Sequence, residues 1–162
     1  MVKFLLGVTM VAFTTFCGYL LSKKYRKRKV FFHELNVFNE RFLSEIAYYR
    51  RPIKEFAVQY VFYGEFNDIL TDFFLSVDDG ALFYVGDDGE YSFLKEEEKR
   101  FIEEYFRMIG RGDSASQNKY FSSVKNTLTA YKDDTEKESK KYGDLYIKIG
   151  FLCGLLILIL MV

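Results

Sequence analysis

Hydrophobic positions form two uninterrupted runs at the ends of the chain and a 3.6-residue rhythm between them. Phe4 to Leu21 is an 18-residue stretch without a charge. Ile149 to Val162 is a second run of 14 residues, which Leu145 to Ile147 lengthen if the Lys148 stem snorkels toward the headgroups. As a helix the first run covers about 27 Å of a hydrocarbon core about 30 Å thick. Both are therefore predicted to be transmembrane helices, residues 1–21 and 149–162, with residues 22–148 between them. A cleavable leader is disfavoured, because only Lys3 precedes the run and no small-residue cleavage site follows it.

Between the runs the rhythm predicts helices. From Ser22 to about Arg50, Leu35, Phe38, Phe42, Glu45 and Tyr49 recur at spacings of three and four. Pro52 disfavours helix at Arg51 and suits the first turn of a second helix, with Ile53, Phe56, Ala57, Tyr60 and Val61 on one face and Gly64 as its stop. Phe66, Ile69, Leu70, Phe73 and Phe74 define a third helix from Glu65 to the "SVDDG" turn, and Leu94 to Ile109 a fourth. Asp113 is placed to cap a last helix whose seam runs from Gln117 through Phe121, Val124, Leu128, Tyr131, Thr135, Glu138 and Tyr142 into the second span. The stretch "ALFYVGDDGEYSF" fits a hairpin or a helical turn and loop, and the helical reading is preferred. The expected fold is all-α, an antiparallel helical bundle carried between an N-terminal and a C-terminal transmembrane helix.

Charge orients this arrangement. The 162 residues balance 23 basic against 23 acidic side chains, but residues 22–64 hold ten basic and four acidic, and residues 65–113 five basic and fourteen acidic. Lys23, Lys24, Arg26, Lys27, Arg28 and Lys29 flank the first span, and Lys140, Lys141 and Lys148 precede the second. Positive flanks stay cytoplasmic, so residues 22–148 are expected in the cytoplasm and both termini outside it. Beside two spans these cations read as grips on anionic lipid rather than as nucleic-acid contacts. Glu97, Glu98, Glu103 and Glu104 mark an acidic surface for a basic partner.

Signatures of chemistry fail in turn. The single histidine, His33, has no nucleophile arrangement beside it and reads as a half-buried residue. "GRGDSAS" lacks the Gly-Lys-Ser/Thr of a phosphate loop, and "VDDG" and "GDDGE" lack the alternating ligands of a calcium loop. Cys17 and Cys153 lie inside the apolar runs, at what their positions make a similar depth, with no metal spacing. No catalytic residue, cofactor or metal is expected. Glu45, a carboxylate on an aromatic seam, stands out. If Ser22 and Lys148 lie level, antiparallel helices bring Glu45 level with about Lys125, where an ion pair would set register.

The membrane run leaving through "GYLLS" into a basic tail, then "EIAYYRRPIKEF", "IGRGDSASQ" and "YGDLYIKIGFLCGLLILIL", resemble in order and spacing the stage III sporulation protein AB family along nearly the whole chain. Pro52, Gly110, Asp113 and Gln117 fall on that pattern. The resemblance implies a helical cytoplasmic domain similar to those of type II secretion inner-membrane platform proteins. It further implies a structural, non-enzymatic place in the mother cell-forespore channel of an endospore former, at the outer forespore membrane. The implied partners are a stage III sporulation protein AA-type ATPase and other channel subunits, with a homo-oligomer as a further expectation. The competing reading is an unrelated bacterial membrane-anchored adaptor or regulator whose acidic helical tip recruits another protein.

Overall fold

A computed structural model describes residues 2–49, 53–86 and 89–161. The elements are α1 (Val2–Ser44), a π turn (Glu45–Tyr49), α2 (Ile53–Gln59), α3 (Glu65–Asp78), a 3-10 turn (Gly89–Tyr91), α4 (Glu96–Met108) and α5 (Ser114–Met161). The fold is all-α, and no strand occurs among the described residues. Among the described residues two helices are long and apolar enough to cross a membrane, one within Leu6–Tyr48 and one within Ser114–Leu160. The chain divides into a terminal unit, Met1–Lys29 with Asp134–Val162, and a central unit, Val30–Asp133. Those boundaries fall inside α1 and α5, at 29/30 and 133/134, whereas the expected membrane limits lie at 21/22 and 148/149.

The central unit is built on aromatic rings. Phe38 is fully buried, and the rings of Phe42, Phe56, Phe62, Phe66, Tyr105 and Phe106 surround it with centroids 5.5 to 6.4 Å away. Those separations suit edge-on and offset ring contacts. Leu35, Phe38 and Phe42 of α1 and Phe121 and Leu128 of α5 all bury as their spacing predicts. One polar tie crosses this core: the Tyr105 hydroxyl donates to Asn39 Oδ1 at 3.0 Å, and Asn39 Nδ2 donates to the Phe121 carbonyl at 3.3 Å. It joins α4, α1 and α5.

Helix ends obey local chemistry. Past α3, Gly80 takes φ +66°, and the amides of Gly80 and Ala81 turn back to the carbonyls of Val77 and Ser76 at 3.3 and 2.9 Å. That is the Schellman closure, which needs a residue at positive φ. Glu98 Oε2 accepts the Lys95 amide at 2.9 Å at the start of α4. α2 stops at Gln59, short of the expected Gly64, and Val61 is 71% exposed rather than on the core face.

Residues 81–86 are irregular, and a single 3-10 turn follows at Gly89–Tyr91, so the described part of "ALFYVGDDGEYSF" is the helical turn and loop preferred from sequence and not a hairpin. Its polar groups find partners on neighbouring helices. The Val85 amide donates to Glu103 Oε1 at 3.0 Å, and the Tyr91 hydroxyl to Asp72 Oδ2 at 2.7 Å. With Val85, Tyr91, Phe93 and Leu94 buried, this stretch closes the core as a packed loop.

In the terminal unit α1 and α5 run antiparallel through glycine contacts. A Cβ placed on Gly150 would come within 2.5 Å of the Thr14 carbonyl oxygen, and one on Gly154 within 2.7 Å of the Val11 Cα. Gly18 lies equally hard against the Tyr146 and Ile147 backbone. Gly150 and Gly154 are spaced as the small-residue motif that lets apolar helices approach closely. Below the glycines Tyr25 stacks between Tyr142 and Tyr146 at 5.3 and 5.8 Å.

Candidate functional site

The sequence singles out the end of α1 and the turn before α5, and the structure brings these together. Phe42, Glu45, Ile46, Ile53, Gly110, Ser114 and Gln117 line one cleft of about 250 Å³. Glu45 is only 3% exposed and opens the π turn, where the backbone widens and the α1 seam changes phase. Ser114 Oγ donates to the Ile46 carbonyl at 3.3 Å and ties the turn to the start of α5. Gly110 at φ +75° and Gly112 at φ +77° reverse the chain between α4 and α5. Asp113 then caps α5 as expected: its Oδ1 accepts the Ser116 amide at 3.1 Å, and hydrogen bonding from Ser116 holds its carboxyl below the ordinary value.

Glu45, Gly110 and Gln117 thus share a site, with Asp113 beside it, while Pro52 lies outside the described residues. Lys125 is elsewhere. Its Nζ is 3.9 Å from Glu40 Oε1, and Glu45 lies level with Ser114 and Gln117. The expected Glu45–Lys125 register is corrected for a plain reason. In the central unit the Phe42 ring meets the Phe121 ring at 4.9 Å, which sets Glu45 nearer Asn118 than Lys125; within the terminal unit Gly18 meets Tyr146 and Ile147, so Ser22 faces a level about five residues before Lys148. The same offset places Cys17 near the level of Ile147 and Cys153 near Val11 and Thr14, so the two thiols do not share a depth. The motif "GFLCG" was the signal that would have set this register in advance.

The acidic surface is smaller than four adjacent glutamates imply. Glu97 and Glu104 are exposed, but Glu98 is fully buried and accepts the Lys95 amide, and half-buried Glu103 accepts the Val85 amide. Helix phase explains the split: two of the four turn inward and serve backbone donors. The basic collar needs a similar correction. Lys23, Lys24 and Arg26 are exposed and Lys27 and Lys29 half-buried, whereas Arg28 is 7% exposed and paired with Glu138. Arg28 is a structural cation of the terminal unit. His33 is exposed rather than half-buried.

Comparison with known proteins places this geometry. A family model described as stage III sporulation protein AB matches residues 84–162, which contain α4, the Gly110–Asp113 reversal and α5. Stage III sporulation protein AB of Bacillus subtilis (strain 168) is 25% identical over 173 aligned positions, spanning 99% of this chain and 99% of that protein. No solved structure matches the chain. The chain is thus similar to the stage III sporulation protein AB family, through the family pattern over residues 84–162 and an end-to-end likeness to a curated member.

Proposed function

We propose that this protein is a structural, non-catalytic subunit of the secretion-like complex that joins mother cell and forespore. Residues 1–21 and 149–162 root it in the outer forespore membrane, and residues 22–148 face the mother-cell cytoplasm. There the helical bundle docks a stage III sporulation protein AA-type ATPase and neighbouring channel subunits, and the ATPase supplies nucleotide hydrolysis. The basic collar of Lys23, Lys24, Arg26, Lys27 and Lys29 holds the base of the domain on anionic lipid.

The observation that carries the reading is the order of parts: two span-length helices enclose, in sequence, a ring-packed helical unit. Glu97 and Glu104 stand exposed on its α4. Exposed carboxylates in an acidic segment attract a basic partner and set its association rate. The test is co-purification of the full chain in detergent with the ATPase, repeated with Glu97→Lys and Glu104→Lys. Capture by the native chain and at least tenfold loss in the double variant are expected. No capture by either form would sink the docking assignment. Impermeant thiol labelling of a cysteine introduced at Ser92 tests orientation, and labelling from outside the cytoplasm would overturn it.

A further inference from the structure

Exposed apolar side chains in the central unit gather on α2, α3 and the turns beside them. Val58 of α2 is 87% exposed and Leu75 of α3 57%, whereas no large hydrophobic side chain between Glu96 and Asp133 is exposed. The Lys54–Asp78 ion pair lays α2 along α3, and the two helices enclose a groove of about 300 Å³. Ala57 and Val58 line one side of it, and Leu70 and Phe74 the other, with Asn67 and Thr71 among them. On α3 the lining positions Asn67, Thr71, Phe74 and Asp78 recur at spacings of three and four, so they form one stripe about 16 Å long over three turns.

Acid surrounds this groove. Ile53 to Asp79 holds one basic residue, Lys54, against six acidic ones, and Lys54 is already paired with Asp78. Counting Arg41, whose guanidinium lies over the Tyr60 ring at 4.6 Å, and the two arginines before Pro52 still leaves acids ahead by six to four. Glu55, one turn before Val58 on α2, and Asp68, next to Asn67 in the first turn of α3, are both exposed. Neither forms an ion pair among the described residues. That charge selects what can cover the apolar side chains. The same face of a second copy would bring carboxylates against carboxylates, and an anionic lipid surface would repel them.

We propose that the α2–α3 groove seats a basic amphipathic helix of another protein. Apolar side chains spaced by three and four along that helix lie over Val58, Leu70 and Phe74, and its lysines or arginines meet Glu55 and Asp68 at the rim. About three turns of it match the length of the α3 stripe. The acidic surroundings speed and orient its approach, and the apolar seam holds it once seated. This goes beyond motor docking, which was assigned to Glu97 and Glu104 of α4. Neither of those residues lines the groove, so either assignment can fail without the other.

The test uses the full chain in nanodiscs of zwitterionic lipid and a fluorescein-labelled helical peptide with leucines at spacings of three and four and lysines elsewhere. After subtraction of empty nanodiscs, it should bind at least tenfold tighter than the same peptide with glutamates in place of lysines. Glu55→Lys with Asp68→Lys should weaken binding of the lysine peptide at least tenfold, and the milder Glu55→Gln with Asp68→Asn at least threefold. Val58→Ser should also weaken it at least threefold, whereas Asp133→Asn, at an exposed carboxylate of α5, should leave it unchanged. In the cells that make the protein, benzoylphenylalanine at Val58 should photocross-link a segment of another protein that carries net positive charge and apolar residues at helical spacing. Its yield should be at least fivefold above that from benzoylphenylalanine at exposed Lys119. Equal affinity for the two peptides, indifference to Val58→Ser, absence of an adduct at Val58, or adducts confined to lipid, to a second copy or to acidic segments would each overturn the proposal. Circular dichroism of every variant confirms that any loss is not unfolding.

Discussion

Two asparagines one turn apart on α1 should respond to mutation with opposite sign. Asn39 is fully buried, accepts from the Tyr105 hydroxyl and donates to the Phe121 carbonyl. Asn36 is 6% exposed, and its Oδ1 is buried without a hydrogen-bond partner. Tyr105→Phe removes little volume but leaves Asn39 Oδ1 without its donor, a loss of about 1–3 kcal/mol. For a unit of about one hundred residues that lowers Tm by about 4–8 °C per kcal/mol. Asn36→Ala removes an acceptor that folding has already desolvated for no return and installs a better helix former, against a small void. It should lie between neutral and about 1 kcal/mol stabilising. Urea unfolding of the full chain in detergent, followed by the near-ultraviolet dichroism of its tyrosines, measures both. A cycle pairing Tyr105→Phe with Asn39→Ala should give a coupling of about 0.5–3 kcal/mol. Burial pushes the Tyr105 hydroxyl well above the ordinary 10.0, so its contribution is constant below pH 10 and falls above it as the unfolded chain ionises first. Equal costs for Tyr105→Phe and Asn36→Ala, or zero coupling in the cycle, would refute the reasoning.

Three further outcomes are expected. Gly154→Leu forces apart backbones in contact at Val11 and should destabilise the terminal unit by about 1–3 kcal/mol, read as a lower SDS fraction at unfolding, while exposed Phe151→Leu leaves it unchanged. Glu138→Gln leaves the buried Arg28 cation without its carboxylate and should cost about 1–3 kcal/mol in thermal unfolding, whereas Arg28→Leu with Glu138→Leu is close to neutral. Asp113 has a depressed carboxyl pKa, so its stabilising charge is fully present above the unfolded value near 3.8 and is lost as pH falls through the lower folded value. Asp113→Asn keeps the α5 cap and should remove that acid-limb dependence, as measured by the pH dependence of Tm.

Helix positions were legible because α1, α3, α4 and α5 are amphipathic over several turns, and the buried aromatics follow that pattern closely. Asp113 was legible too, since a cap is a local event. Register was not. It is set in the terminal unit by where Gly18, Gly150 and Gly154 meet the opposite backbone and in the central unit by ring contacts such as Phe42 on Phe121, and a level drawn from the ends of hydrophobic runs ignores both constraints. The split among Glu97, Glu98, Glu103 and Glu104 was hidden because two of those carboxylates serve amides of the preceding loop. The loop's turn was legible, but its anchoring was not, because the partners of its Val85 amide and Tyr91 hydroxyl are side chains distant in sequence, which periodicity cannot reveal.

The glycine contacts also have a consequence in time. Gly7 faces Leu158, and Phe42 faces Phe121, so both units take one wall from each end of the chain. A ribosome adding about 5–20 residues per second needs on the order of ten seconds to pass from the first of these walls to the last. Throughout that interval the bare glycine face of α1 has only lipid to touch, and its phenylalanine seam lacks α5. Assembly waits on the arrival of α5, and an interruption of synthesis before it strands an aromatic surface in search of any other cover.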